Sequence, residues 1–156
     1  MITTAMIMFI IIGAYVFGYF LALTKIPSGL AAWVLTLEVN RYVILAIILL
    51  IYLLLGAFMD SLAMILLTVP IFFPVVMHLG FDPIWFGILM VMIMEVGLIT
   101  PPVGMNVFVV KGIARDVPVG TIFKGVLPHV VANMIAIVTV ASFPILALWV
   151  PGLIYT

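Results

Sequence analysis

The sequence predicts an all-helical integral membrane protein, and three observations support that fold class. Hydrophobic residues make up 69% of the 156 residues and charged residues only 6%, whereas a soluble domain carries about 25% charged residues. The mean hydropathy is +1.59. The apolar residues form long continuous runs, as membrane helices require, rather than the alternating pattern of membrane β-strands.

The composition also argues against several functions. Five basic residues balance five acidic ones, so there is no basic patch to attract nucleic acid. The chain has no cysteine, which excludes disulfides and cysteine-ligated metals within it. We find no nucleophile–base pair, histidine cluster or phosphate loop, and His78 and His129 lie near expected helix ends. We therefore expect neither an enzyme nor a bound cofactor.

The first segments are a predicted membrane span and a lateral helix. Ile2 to Thr24 is long enough to cross a bilayer at about 1.5 Å per residue. It lacks the basic start of a cleaved signal peptide. Lys25 to Gly29 is expected to end this helix, because it contains a proline and a glycine. Gly29 to Val39 is shorter and mixed, with Glu38 near its end, which favours an interfacial helix.

Two apolar runs follow with almost nothing between them. Tyr42 to Met59 stops at Asp60-Ser61, and Leu62 to Leu79 resumes at once. These runs form either two full spans joined by a tight surface turn or a re-entrant hairpin whose tip lies inside the membrane. Their lengths do not distinguish the two arrangements.

The next segment is a predicted broken helix. Asp82 and Pro83 are suited to cap and open a helix over Ile84 to Ile99. Pro101 and Pro102 remove two backbone donors and must break it, and Met105 to Ala114 resumes as a half-helix. Irregular backbone at membrane depth occurs where it lines a cavity or is buried in protein, typically at an ion or substrate site.

A second lateral segment and a final span complete the chain. Asp116 to Leu127 is short and mixed, and Pro128-His129 opens a predicted span over Val130 to Val150, which Pro151 ends. Three regions result: a frame helix with its lateral arm (1–39), a moving unit, and a second arm with the last frame helix (116–156). The moving unit (40–115) contains the possible hairpin (40–79) and the broken helix (84–114).

The placement of charges predicts an orientation. If residues 42–79 return to the side on which they start, Lys25, Arg41 and Asp82 share one side of the membrane. The opposite side carries three basic residues, Lys111, Arg115 and Lys124. The excess of basic residues places 114–125 in the cytoplasm and Thr156 on the other side.

Thr100 to Gly104 is the first candidate binding segment. Carbonyls freed by the prolines, the negative end of the preceding helix and the Thr100 hydroxyl are hard oxygen ligands for a cation. The positive end of the next half-helix, at Met105 and Asn106, favours an anion. Asn106 is equally suited to satisfy the broken backbone, and the whole break has an alternative role as a packing kink.

Two acidic residues are further candidates. A carboxylate at the membrane centre costs about 2.5–3.5 kcal/mol on insertion scales, so Asp60 either lies at a surface or serves a buried site. Asp60 also suits the N-cap of the following helix. Glu95 is either a proton carrier, a partner of a cation elsewhere, or a hydrogen-bond partner of the broken backbone, and the last is slightly favoured.

The ordered set of motifs resembles the large membrane subunit of the tripartite ATP-independent periplasmic (TRAP) transporters over essentially the whole chain. The resemblance is carried by Ile26-Pro27, Leu55-Gly56-Ala57-Phe58-Met59-Asp60, Pro70-Ile71, Pro74, Gly80-Phe81-Asp82-Pro83, Glu95 through Gly104, Phe143-Pro144 and Trp149-Val150-Pro151. It favours the re-entrant hairpin. The chain corresponds only to the C-terminal part of that subunit, without its first repeat.

The resemblance implies one inverted repeat of an elevator-type, sodium-coupled carrier of organic acids such as C4-dicarboxylates or sialic acid. Sodium would lie where the hairpin tip meets the break, at Gly56, Met59, Asp60, Thr100, Pro101, Val103 and Gly104. Substrate would lie beside Pro102, Met105 and Asn106.

The implied partners are a small membrane subunit, a periplasmic binding protein and the N-terminal half of the large subunit, in a bacterial inner membrane. A related sodium/dicarboxylate symporter that needs no binding protein, and a non-transporting structural subunit or fragment, are the alternatives.

Overall fold

The computed structural model describes residues 2–37 and 39–154, and the regular elements in them are α-helices. In chain order they are α1 (Ile2–Thr24), α2 (Ile26–Thr36), α3 (Arg41–Phe58), α4 (Ser61–His78), α5 (Pro83–Ile99), α6 (Met105–Ile113), α7 (Val119–Ser142) and α8 (Ile145–Ile154). Segments of α1, α4 and α7 are each long and apolar enough to cross a membrane. The predicted all-helical fold is confirmed, and the long apolar helices are consistent with the predicted membrane protein. Glu38 and Thr156 lie outside the described residues.

Helices α3 and α5 run parallel, side by side. At their beginnings, the Arg41 guanidinium lies 5.2 Å from the centre of the Phe81 ring, just before α5. Further along, the Tyr52 and Phe86 rings are 6.4 Å apart, and at the far ends Gly56 meets Gly97. Because the contacts advance together along both helices, the C-terminal ends of α3 and α5 lie at the same end of the molecule.

Helix α4 turns back against α3 and forms a helical hairpin with it. The Thr68 and Tyr52 hydroxyls are hydrogen-bonded at 2.9 Å across the two arms. Tyr52 is fully buried, and its ring lies 5.5 Å from the Phe72 ring on α4. The buried core is continuous from this hairpin into α5, where Leu89 and other apolar side chains are completely covered.

Several predicted boundaries agree closely with the structure. Helix α1 has the predicted bounds. Helix α5 begins at Pro83, and the Asp82 carboxylate accepts hydrogen bonds from the Ile84 and Trp85 N–H groups at 2.8 and 3.0 Å. The interruptions at Met59-Asp60 and at Thr100 to Gly104 are also present.

The prediction that Lys25 to Gly29 breaks the chain was too broad. Only Lys25 leaves the helical conformation, with a φ of 54°, and α2 begins directly at Ile26. Pro27 lies in the first turn of α2, where a missing N–H costs no helix hydrogen bond.

The predicted division of residues 116–150 was wrong. Helix α7 runs without a break from Val119 to Ser142 and contains Pro128. The chain breaks instead at Phe143-Pro144, and Pro151 lies within α8. Packing supports α7 on both sides of Pro128, since its first part contacts α6 and its second part contacts α5.

Candidate functional site at the hairpin tip and the helix break

A contact between two glycines joins the hairpin to the broken helix. A Cβ atom added to Gly97 would lie 2.8 Å from the Gly56 Cα and 2.8 Å from the Leu53 carbonyl oxygen. A Cβ added to Gly56 would lie 3.1 Å from the Gly97 Cα and the Met94 carbonyl oxygen. The backbones of α3 and α5 therefore touch, and only residues without a side chain fit at this crossing.

The hairpin tip begins directly after this contact. Met59 is extended, with φ −119° and ψ 150°, and its N–H donates to the Leu55 carbonyl at 2.8 Å. Asp60 is exposed, and its carboxylate accepts a hydrogen bond from the Leu62 N–H at 3.0 Å. Asp60 is thus the N-cap of α4. One carboxylate oxygen holds the helix, and the other remains available to a ligand at the tip.

The break in α5 begins three residues after Gly97. Thr100 is extended, and its hydroxyl donates to the Val96 carbonyl at 2.5 Å, which leaves the hydroxyl lone pairs to accept a ligand. Pro101 and Pro102 have no N–H to donate to the carbonyls of Gly97 and Leu98. The Thr100 N–H reaches the Gly97 carbonyl at 3.1 Å, whereas Pro102 cannot supply the usual helix donor to the Leu98 carbonyl.

Gly104 closes the break in the left-handed conformation, with a φ of 58°. A Cβ at this position would lie 3.1 Å from the Phe123 ring and 3.2 Å from the Thr100 carbonyl oxygen. Phe123 on α7 therefore packs directly against the turn that carries Thr100. A small cavity of about 190 Å³ lies beside this contact, lined by Ile99, Thr100, Pro101, Phe123, Lys124, Leu127 and Val130.

Helix α6 starts at Met105, immediately after the break. The first hydrogen bonds of the helix run from the Val107 and Phe108 N–H groups to the Gly104 carbonyl. The N–H groups of Met105 and Asn106 precede these bonds, and Asn106 is exposed, as is Pro102. The start of α6 thus presents backbone donors and positive partial charge next to the break.

The region contains two helix C-termini, with negative partial charge, and two helix N-termini, with positive partial charge. The C-terminal ends of α3 and α5, which carry negative partial charge, are held together at the glycine contact. The N-terminal ends of α4 and α6 follow each of them after a few residues. Carbonyl and hydroxyl oxygens are hard ligands suited to an alkali or alkaline-earth cation, and a helix N-terminus suits an anion. The described residues contain no cluster of three or more metal-binding His, Cys, Asp or Glu side chains.

The other sequence candidates lie elsewhere. Glu95 is exposed on α5, and within residues 2–37 and 39–154 it makes neither a hydrogen bond nor an ion pair. This disagrees with the preferred interpretation that Glu95 supports the broken backbone. Lys111 lies in the last turn of α6, and its ammonium donates to the Val117 carbonyl at 2.9 Å, beyond the end of that helix. Neither Gly97 nor Phe123 was predicted from the sequence as part of the site, although both Gly56 and Gly97 stand out as glycines within apolar helices.

Comparison with known proteins places these features in one family of membrane proteins. The family described as "Tripartite ATP-independent periplasmic transporter, DctM component" matches residues 1–146. The chain is 40% identical over 149 residues to the C4-dicarboxylate TRAP transporter large permease protein DctM of Pseudomonas aeruginosa, covering 96% of this chain and 35% of that protein.

It is also 40% identical over 151 residues to the sialic acid TRAP transporter large permease protein SiaM of Vibrio cholerae, covering 97% of this chain and 35% of that protein. A third relative, the isethionate TRAP transporter permease protein DctMQ of Oleidesulfovibrio alaskensis, is 36% identical over 90% of this chain and 22% of its own length. The chain thus spans about a third of the length of the first two curated relatives.

Proposed function

Because this chain belongs to the DctM-component family of the tripartite ATP-independent periplasmic transporters, we propose that it forms the C-terminal part of the large membrane subunit of a sodium-coupled carrier of organic acids. The observation that carries the proposal is the backbone contact between Gly56 and Gly97. This contact brings the negative ends of two helices together directly before a hairpin tip and a double-proline break.

Sodium is the proposed occupant of that region. The proposed ligands are backbone carbonyls of the tip and the break together with the Thr100 hydroxyl, whose hydrogen is directed to Val96 and whose lone pairs are free to bind a cation. The residues concerned are Gly56, Met59, Asp60, Thr100, Pro101, Val103 and Gly104. Asp60 adds negative charge at the tip without losing its role as the cap of α4.

The proposed substrate is a small organic anion. The named relatives carry C4-dicarboxylates, sialic acid or isethionate, and these share an acidic group. The backbone donors at the start of α6, near Met105 and Asn106, suit such a group, and Pro102 borders them. A cation bound at the break would order the same loop, so substrate would bind well only when sodium is present.

The transport cycle is proposed to be of the elevator type, with the hairpin and the broken helix moving against a frame. The carrier would act in the bacterial inner membrane with the remaining part of the large subunit, a small membrane subunit and a periplasmic binding protein. The family description, which names a tripartite periplasmic transporter, supports the small subunit and the binding protein. The remaining part of the large subunit is supported by the first two relatives, of which this chain covers 35%.

Deletion and complementation in the natural host test this function. Cells lacking the gene for this chain are compared with cells that express the wild type, Thr100→Val or Thr139→Val, and uptake of labelled C4-dicarboxylates, sialic acid and isethionate is measured in sodium and in potassium medium. Thr139 is the matched control, because its hydroxyl makes the same bond to a carbonyl one turn earlier, at 2.7 Å, but lies on α7.

We expect sodium-dependent uptake of one of these acids to disappear on deletion and to return with the wild type and with Thr139→Val. Thr100→Val should restore little sodium activation. Unchanged uptake after deletion would overturn the transport proposal, and equal uptake in potassium would overturn sodium coupling. Uptake that persists without a periplasmic binding protein would favour the symporter alternative.

A further inference from the structure

The Val140 carbonyl at the end of α7 has no helix donor. The last regular hydrogen bond of this helix runs from the Phe143 N–H to the Thr139 carbonyl at 2.9 Å. The next bond would run from residue 144 to the carbonyl of Val140, but residue 144 is proline and has no N–H. In an apolar environment, a carbonyl without a donor is costly and needs another partner.

Trp85 on α5 supplies that partner. Its indole Nε1–H donates to the Val140 carbonyl at 2.9 Å. Only 2% of Trp85 is exposed, whereas Trp33 and Trp149 are 60% and 64% exposed. Exposed tryptophans commonly anchor a helix at the membrane interface. Trp85 differs from them, because both its ring and its donor are used within the protein.

The same region forms a continuous apolar contact between α5 and the last two helices. Ile137 on α7 is 4% exposed and belongs to the same buried cluster as Trp85 and Phe86. Val140 and Leu148, on either side of the break, pack against this cluster. Sliding α5 along α7 would therefore separate packed side chains and leave both the indole and the carbonyl without a partner.

We propose that Trp85 and Pro144 form a fixed joint, so that α5 and α7 move as one body. Pro144 makes the Val140 carbonyl available, and the Trp85 indole occupies it. This inference rests on the proposed elevator-type function for its consequence, which is that the moving unit extends beyond residue 115 and includes the last membrane helix. Trp85 is then a positioning residue, because it holds the helix that carries Thr100.

The hydrogen bond itself is tested in this chain, purified in lipid nanodiscs. A variant with Trp33→Phe and Trp149→Phe leaves Trp85 as the single indole, and the hydrogen–deuterium exchange of its Nε1–H is followed by NMR. Pro144→Ala restores an N–H that competes for the Val140 carbonyl, so exchange should become about tenfold faster. Pro151→Ala, which changes a proline within α8, is the matched control and should exchange like its parent. Equal exchange in Pro144→Ala and the parent would overturn the pairing.

The joint is tested by distances between spin labels, which the absence of native cysteine makes simple. One pair joins exposed positions on α5 and α7, Val91→Cys and Val138→Cys, and a second pair joins α5 to α1, Val91→Cys and Val16→Cys. We expect one narrow α5–α7 distance that is the same in sodium and in potassium, and a broadened distribution when Trp85→Phe removes the donor.

A change of the α5–α7 distance with sodium would overturn the joint. So would an α5–α7 distribution that is equally narrow with and without the indole. The α5–α1 pair reports separately on the proposed function. If neither pair responds to sodium while the effect of Trp85→Phe remains, the joint stands and the sodium-coupled movement fails.

Discussion

Replacing Gly97 by alanine is the sharpest perturbation of the proposed site. The added Cβ would lie 2.8 Å from both the Gly56 Cα and the Leu53 carbonyl oxygen, whereas ordinary contact begins at 3.4 Å. The neighbouring atoms belong to backbone, so rotation of a side chain does not relieve the overlap. Helices α3 and α5 must separate by about 0.6 Å or more at this point, and the hairpin tip moves away from the break.

Two opposing contributions determine how Gly97→Ala changes the free energy of unfolding. Overpacking a tight contact costs about 1–3 kcal/mol, and exchanging glycine for alanine inside a helix returns about 0.5–1 kcal/mol. We expect a net destabilisation of about 1–2 kcal/mol. Gly87→Ala is the matched control in the same helix, because a Cβ there meets nothing within 4 Å. The Gly87→Ala variant should be more stable than the wild type by about 0.5–1 kcal/mol in free energy of unfolding.

Thermal unfolding of the purified chain, followed by circular dichroism, measures the difference. The two variants should differ by about 2 kcal/mol, which corresponds to about 4–8 °C in apparent Tm for a chain of this size. The sodium concentration that gives half of the maximal stabilisation should rise about tenfold in Gly97→Ala. This factor corresponds to a loss of about 1.4 kcal/mol in the free energy of sodium binding. Equal stability and equal sodium response in the two variants would refute the close crossing as the base of the site.

Two further predictions separate structural from ligand-binding roles. Asp60→Ala and Asp82→Ala each remove an N-cap and should each lower the free energy of unfolding by about 1 kcal/mol, but only Asp60→Ala should weaken stabilisation by sodium. Asp60→Asn should keep the cap and still weaken stabilisation by sodium. A normal sodium response in Asp60→Asn would exclude the carboxylate as a ligand. Thr68→Val leaves the buried Tyr52 hydroxyl without its partner and should lower the free energy of unfolding by about 1–2 kcal/mol. The double variant Tyr52→Phe/Thr68→Val removes both hydroxyls and should be destabilised less than the single variant. A double variant less stable than Thr68→Val would contradict this pairing.

The sequence predicts those elements whose limits depend on local chemistry. Asp82 and Pro83 fix the start of α5, because a carboxylate cap and a proline in the first turn act within a few residues of each other. The double-proline break is equally local, since two missing donors cannot be compensated within the helix. The interruption at Asp60 follows the same rule.

Tertiary packing decides the features that the sequence analysis missed. Pro128 would end many helices, yet α7 continues through it because α6 and α5 support its two parts. Pro144 does end α7, and the carbonyl that it frees is taken by Trp85, which lies 55 residues away in the sequence.

The candidate site was predictable as two segments but not as a junction. The motifs identify the tip at Gly56 to Asp60 and the break at Thr100 to Gly104 separately. Their proximity depends on Gly97, whose importance appears only when the Gly56 backbone is placed against it. The preferred interpretation of Glu95 was wrong because it assumed that the broken backbone takes a nearby side chain as its hydrogen-bond partner, whereas Glu95 lies on an exposed face of α5.

Direct measurement of sodium binding to the purified chain tests the proposed site independently of transport. Isothermal titration of sodium into the wild type, Thr100→Val and Thr139→Val, in potassium buffer, compares two threonines with the same hydroxyl-to-carbonyl bond in different places. We expect saturable binding that Thr139→Val retains and that Thr100→Val weakens about tenfold or more, the loss of roughly one hard-oxygen ligand. Equal binding by all three proteins, or no saturable binding by the wild type, would contradict a sodium site at the junction of the hairpin tip and the helix break.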